Sequence, residues 1–445
     1  MKTPCNLHRR QFLASTAALG LGAAGLLAAP LPAIGKTRER QPVVIVTSYN
    51  DEVFSRFEAA FEKAHPQYKL QLVWRMPHDA LPYLRQPQQG GADMYWSASP
   101  RTFAALAAEG AWQPLGIDLS GLPKAVGKAR LADADGFYTA TEMAGYGFIL
   151  NPGALAKLGL AEPQDWTDLT APAWAGQLVM PIPSRVGFAP VMVDILLQAY
   201  GWEKGWAVWS AIAGNAGSLM DRGSTFVTDE VASGRRALGL SIDFFAVAAI
   251  ANGAPLRFAY PAHSGINPAH IAITKSAANP AGARAFAQFI LAANGGQKII
   301  THREIHKLPV RPAVYRDLPG DYYNPFAAAE RGAFDYDGDL TRQRLGLLSA
   351  LFEQMLIREH GELVGLWQRL HRAEAAGRDV KTARKLLESP LISAAEADDP
   401  ALQRPFRNQL EGAEPGAAGA IEKRWQELSQ ANRTEAGRLL QAMGA

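Results

Sequence analysis

Pro42-Val43-Val44-Ile45-Val46-Thr47-Ser48-Tyr49-Asn50 is the stretch from which the fold can be read. Four consecutive β-branched residues with no polar alternation read as a strand buried on both faces. From Asn50 to His65 the period changes. Val53, Phe57, Ala60 and Phe61 recur at helical spacing, and Pro66 stops the helix. Lys69 to Arg75 alternates Leu70, Leu72 and Trp74 with polar neighbours, and Ala92 to Trp96 gives a short third strand. Ser99-Pro100 then opens a helix from Arg101 to Glu109, with Ser as cap and Pro as first helical residue. Strands alternating with helices predict a parallel sheet covered on both faces.

The pattern continues along the chain. Thr139 to Asn151 reads as an extended crossing segment in which Gly145 and Gly147 allow bends. A second α/β unit follows, with strands at 177–181 and 237–242 and helices at 188–200 and 204–213. Strands at 256–260 and 269–274 form a returning segment, and Asn279-Pro280 starts a helix to Ala292. Trp202, Trp206 and Trp209 share one helix face and read as core. From about Pro325 to Ala445 the chain is rich in Ala, Leu, Glu, Arg and Gln and predicts several helices.

The 445 residues carry 45 Lys and Arg against 42 Asp and Glu. The whole excess of three lies at Lys2, Arg9 and Arg10, in a first segment without acids. A neutral remainder argues against a nucleic-acid binder, which usually needs a basic face. Arg9-Arg10-Gln11-Phe12-Leu13, an apolar stretch from Ala14 to Ala29 and small residues to Gly35 predict a twin-arginine export signal over residues 1–35. The expected location is therefore the periplasm, with the signal removed. The only cysteine, Cys5, precedes the apolar stretch. The exported chain is expected to lack disulfides, thiolate nucleophiles and Cys-ligated metals. No later apolar run is long enough to span a bilayer.

The candidate site comes from the turns that follow strands, where ligands of open α/β sheets bind. These turns are rich in hydroxyls. They include Ser48 and Tyr49 after the first strand, Ser97 and Ser99 after the third, and Thr139 and Thr141 on the crossing segment. In the second unit they include Ser184, Arg185 and Gly187 before one helix and Arg222, Ser224 and Thr225 before another. Free N–H groups at helix starts favour an anion, hydroxyls add donors, and Arg222 offers a charge-assisted contact. Ser and Thr are also the commonest helix caps whatever the function. The pattern points to a small anionic ligand.

Several segments carry a family resemblance. They are Ala92-Asp93-Met94-Tyr95-Trp96-Ser97-Ala98-Ser99-Pro100, Asp165-Trp166-Thr167-Asp168-Leu169 with Pro172-Ala173-Trp174-Ala175-Gly176, Gly239-Leu240-Ser241-Ile242-Asp243-Phe244-Phe245, and Leu308-Pro309-Val310-Arg311-Pro312. Over residues 42–315 the chain resembles extracellular solute-binding proteins of ABC transporters, in the group that includes ferric-ion and organophosphate binders. The tail, with Asn324-Pro325-Phe326 and Phe334-Asp335-Tyr336-Asp337, resembles the longer phosphoglycerate-transport type. The resemblance implies an α/β fold of the type II periplasmic-binding-protein kind, with two α/β lobes, a hinge and a C-terminal helical extension. Residues 36–140 with 255–320 would form lobe 1, 141–254 lobe 2, and 321–445 the extension. It also implies a small organic anion, phosphorylated or carboxylated, held between the lobes. No enzymatic activity and no cofactor follow from it. The expected partner is an inner-membrane ABC permease, with a membrane sensor histidine kinase as the other reading.

Iron binders of this group use an adjacent tyrosine pair on the second lobe. Here that place holds Asp243-Phe244, which argues against Fe(III) and makes Asp243 an acceptor for ligand hydroxyls or a hinge residue. Tyr322-Tyr323 is a pair, but it lies beyond the returning segment and reads as packing. Tyr260 and His263 sit on a loop that reaches the cleft from the hinge side. His302 and His306 are four apart, yet position 303 is Arg where a zinc peptidase needs Glu. Asp335 to Asp339 misses the glycine and acid positions of a calcium loop.

Overall fold

The computed structural model describes residues 39–222, 224–410 and 416–444. The expected export signal, Cys5 and Gly223 lie outside these residues, as does the side chain of Ser224. The strands are β1 (Gln41–Thr47), β2 (Tyr68–Trp74), β3 (Met94–Ser97), β4 (Trp112–Gln113), β5 (Ala125–Val126), β6 (Ala129–Arg130), β7 (Tyr138–Leu150), β8 (Leu178–Pro181), β9 (Ala216–Met220), β10 (Leu238–Ile242), β11 (Arg257–Ala259), β12 (Ile266–Thr274) and β13 (Leu308–Pro309). Their main order is β2-β1-β3-β12-β7-β10-β8-β9, with β11 and β13 also pairing β7 and β4 pairing β12. β5 and β6 form a separate ribbon.

Strand directions explain how a cleft arises. β1, β2 and β3 are parallel, β12 is antiparallel to β3, and β7 is antiparallel to β12. β7 therefore runs with β3. β10 is antiparallel to β7, and β8 and β9 follow β10. The carboxyl ends of the two parallel sets thus point toward each other along β7. Ser97 at the end of β3 is opposite His270, which is opposite Ala140, whereas Ile242 at the end of β10 is opposite Tyr146. Six residues of β7, one of them unpaired, separate these levels, which makes five ladder steps or about 17 Å at the usual strand rise. Residues 141–145 form the floor of that interval.

The register slips there. Ala269 faces Glu142 and His270 faces Ala140, so Thr141 is the extra residue of a bulge. A bulge places two consecutive side chains on one face. The indole Nε1 of Trp96 accordingly donates to Thr141 Oγ1 at 3.0 Å and lies 3.5 Å from Glu142 Oε2. Gly145 and Gly147 serve close approach and not bending, since neither has a positive φ. A Cβ on Gly145 would lie 2.6 Å from the Tyr260 ring, and one on Gly147 would lie 2.3 Å from the Ala259 carbonyl oxygen.

Two large cores flank the floor. One, on the β1 side, holds Val43, Ile45, Phe57, Phe61, Trp96 and Phe286. The other holds Phe148, Trp166, Trp206 and Trp209 together with Leu347, Phe352 and Trp367 of the C-terminal helices. The tryptophan face expected from the sequence is therefore core, and the tail completes it. Phe352 meets Trp209 edge to face at 5.1 Å, and a Cβ on Gly214 would collide with the Trp367 ring. The tail links the cores, because Phe334 belongs to the first and Tyr336 to the second. β9 and the helix Asp243–Ala251 are additions to the pattern read from sequence.

Candidate functional site: the cleft floor and the facing strand ends

Tyr49 follows β1 and reaches the floor. Its hydroxyl donates to the Glu142 carboxylate, and its ring lies 4.5 Å from Trp96. Lys307 enters from the segment before β13, which pairs with Met143 and Glu142. Its Nζ is 2.9 Å from Tyr49 Oη, 3.5 Å from Glu142 Oε1, and 4.0 Å from the Tyr49 ring centroid. It also lies 5.2 Å from the ring of Phe244, at the end of β10. One ammonium thus touches the floor and both sets of strand ends. Glu142 is 1% exposed and Lys307 7%. Burial lowers the Lys307 pKa, and Glu142 and Asp243 pull it back up.

Asp243 opens the helix after β10. Its Oδ2 accepts from the Gly145 N–H and from the Tyr260 hydroxyl, both at 2.8 Å. Its Oδ1 has no hydrogen-bond partner among the described residues. Burial pushes its pKa up to about 6, against the opposing pull of the Gly145 N–H, Tyr260 and Lys307. Between about pH 4 and 6 the folded chain therefore holds a proton that the unfolded chain has lost, so stability falls as pH rises through that window. A two-unit shift amounts to about 3 kcal/mol. Asp243→Asn is expected to remove this step. Urea midpoints at pH 4.5 and 7 test it, and a variant curve parallel to the wild type would refute it.

The remaining candidate residues divide into groups. Ser48 and Ser97 have their hydroxyls 3.0 Å apart at the ends of β1 and β3. Ser99 precedes the helix Pro100–Ala108 as expected, but its hydroxyl engages Thr102 Oγ1 at 2.8 Å and makes no backbone cap bond. Thr141 is buried and bonded to Trp96, to Glu142 and to the Ala269 carbonyl. Tyr260 is joined to Asp243 and stacks 3.6 Å from Tyr323. The Tyr322-Tyr323 pair, read as packing, does pack, and it packs against this site. The Tyr322 hydroxyl donates to the Lys307 carbonyl at 2.8 Å.

Other candidates stand apart from the floor. Ser184 donates to Glu353 of the C-terminal helices at 2.8 Å, so its hydroxyl is already engaged by the tail. Gly187 is exposed with open space where a Cβ would be. Arg222 is 73% exposed and stacks 4.7 Å from the Phe226 ring, with Thr225 exposed beside it. Ser224 starts the helix Ser224–Ala232. His263 does not reach the floor, because its Nδ1 is held 2.7 Å from Asp165, which also accepts from Tyr200. His306 stacks on Tyr322, and Asp337 caps the helix Gly338–Phe352. Among the described residues no three His, Cys, Asp or Glu side chains gather as a metal site, and no helix is long and apolar enough to cross a membrane.

Glu142 and Lys307 are the central residues that sequence reading misses. They lie 165 positions apart. The one local hint is an acid flanked by Thr141 and Met143 inside a buried strand, where a charge needs a partner.

Comparison with known proteins agrees with this architecture. Two curated Salmonella proteins, the phosphoglycerate transport regulatory protein PgtC of S. typhimurium and that of S. typhi, are each 33% identical to the chain over 276 residues. The matched region covers 61% of this chain and 66% of theirs. Among solved structures, the periplasmic binding protein AfuA from Actinobacillus pleuropneumoniae, with fructose-6-phosphate bound, superposes with a TM-score of 0.51 at 19% identity. It is covered over 97% of its length, and this chain over 69%. Iron-bound HitA from Pseudomonas aeruginosa gives a TM-score of 0.56 at 15% identity, with 98% and 69% covered. These likenesses place the fold in the type II periplasmic-binding-protein class. The family profile for bacterial extracellular solute-binding proteins matches residues 91–326, more than half of the sequence. The chain belongs to the bacterial extracellular solute-binding protein family.

Proposed function

We propose that the chain is the periplasmic solute-binding component of an ABC transporter and captures a small organic anion, phosphorylated or carboxylated, between the two sets of strand ends. The observation that carries this reading is the Lys307 ammonium, which is buried yet touches the floor and both sides. A buried cation against Tyr49, with the paired Ser48 and Ser97 hydroxyls at the ends of β1 and β3, suits an anion. The phenols argue against Fe(III) as ligand. Burial raises the pKa of Tyr49, Tyr260, Tyr315 and Tyr322, and their hydroxyls already donate to Glu142, Asp243, Pro309 and Lys307.

On this reading residues 36–140 with 255–320 and residues 141–254 are lobes that close around the ligand, and residues 321–445 are an added helical part. Residues 1–35 are a removed export signal. Function is a ligand-driven shift of lobe populations without chemistry on the ligand. The name of the Salmonella relatives, regulatory proteins of phosphoglycerate transport, favours a second reading in which the closed form is delivered to a membrane histidine kinase.

A thermal and urea stability screen of residues 36–445 against phosphate esters, di- and tricarboxylates and Fe(III) tests the assignment. An anion at 100 times its Kd is expected to add about 2.7 kcal/mol. Stabilisation by Fe(III) alone would overturn the organic-anion reading.

A further inference from the structure

The two sides of the cleft are chemically unlike. The β1 and β3 ends present Ser48, Ser97 and Ser99. The opposite side presents phenyl rings in the turns after its parallel strands. Phe188 immediately precedes the helix Ala189–Tyr200, Phe226 lies in the first turn of the helix Ser224–Ala232, and Phe244 and Phe245 lie in the first turn of the helix Asp243–Ala251. These turns follow β8, β9 and β10, so the rings gather along the carboxyl edge. Phe244 and Phe245 have centroids 4.2 Å apart, and Phe188 lies 6.0 Å from Phe245.

This side also pairs a cation with a phenyl face twice. Lys307 Nζ is 5.2 Å from the Phe244 ring, and Arg222 Cζ is 4.7 Å from the Phe226 ring. Phe226 is 41% exposed, so its ring is open to a ligand. A bare metal ion or inorganic phosphate gains nothing from such rings. A carbon skeleton joined to an anionic group gains from both members of each pair. We infer that the ligand is an organic anion with an apolar face, a ring or hydrocarbon chain, which packs on Phe244, Phe245 and Phe226 while Lys307 or Arg222 meets its charge. The inference rests on the organic-anion reading above and specifies the ligand further.

Two charge-matched pairs of probes test it by calorimetry on residues 36–445: phenyl phosphate against glycerol phosphate, and phenylacetate against glycerate. In at least one pair the ring-bearing member is expected to bind tenfold or more tightly. Phe226→Ala, at an exposed position, is expected to cut that preference about threefold or more, and Phe244→Leu to cut it further. Equal binding within each pair, or a preference unchanged in both variants, overturns the aromatic side while the organic-anion reading stands. Failure of all four probes to bind overturns the inference, and Fe(III) binding in their place overturns the organic-anion reading as well.

Discussion

Lys307→Met is expected to destabilise the chain by about 3–5 kcal/mol, the usual consequence of leaving one member of a buried ion pair alone. Glu142 would keep only neutral donors, the Tyr49 and Thr141 hydroxyls and the Trp96 indole, in a place that is 1% exposed. The same change should weaken an anionic ligand by roughly 10- to 100-fold, the loss of one charge-assisted hydrogen bond. The double variant Glu142→Gln with Lys307→Met is expected to regain most of the stability and none of the affinity. Urea midpoints and titration with the best ligand of the screen measure the two effects separately. An unchanged midpoint in Lys307→Met would mean that Glu142 does not depend on this ammonium.

The second large effect lies between the tail and the body. Asp194 is fully buried in the helix Ala189–Tyr200 and accepts from Arg344 Nη2 at 2.5 Å, from Thr341 at 2.5 Å and from Gln198 at 2.9 Å. Arg344 belongs to the helix Gly338–Phe352 and also reaches Asp398 at 3.2 Å. Arg344→Met is expected to cost about 3–5 kcal/mol and to expose the tail to limited proteolysis before the rest of the chain. Asp194→Leu combined with Arg344→Met should be near neutral, since well-packed apolar residues often replace a buried pair without loss. Proteolytic patterns identical to wild type in the single variant would show that the apolar contacts of Trp209, Phe352 and Trp367 suffice to hold the tail.

The parts legible in the sequence share a physical reason. Strand-helix alternation is written in local periods of two and 3.6, so β1 to β3, the helix between β1 and β2 and the helix after β3 are read from neighbours in the chain, whereas the short helix Pro77–Leu84 between β2 and β3 is not. Tyr49, Thr141, Asp243 and Tyr260 enter the candidate set because strand ends and crossing segments are recognisable, and the structure gathers all four at the floor. The misses arise from pairings across long separations. Lys307 resembles any surface lysine until β13 pairs with β7. Ser184 resembles a ligand donor until Glu353, 169 positions later, takes its hydroxyl. β9, Ala-Gly-Ser-Leu-Met, has too little apolar pattern to announce an edge strand.

The extra residue at Thr141 acts as a phase marker for the rest of β7. Ala144, Tyr146, Phe148 and Leu150 belong to one core, whereas Ile149 belongs to a separate cluster with Val179 and Val227. A one-codon deletion at 141 would remove the bulge and leave Glu142 opposite Ala269, whereas a deletion at Met143, in the regular part of the strand, would exchange these two sets of side chains between its faces. Substitution at 141 disturbs one hydroxyl, but a deletion at Met143 reverses the buried run from Ala144 to Leu150 at once. Beyond the bulge, insertions and deletions are therefore far less tolerable in this strand than point changes, and that part of the strand supplies a fixed reference for aligning distant relatives by register.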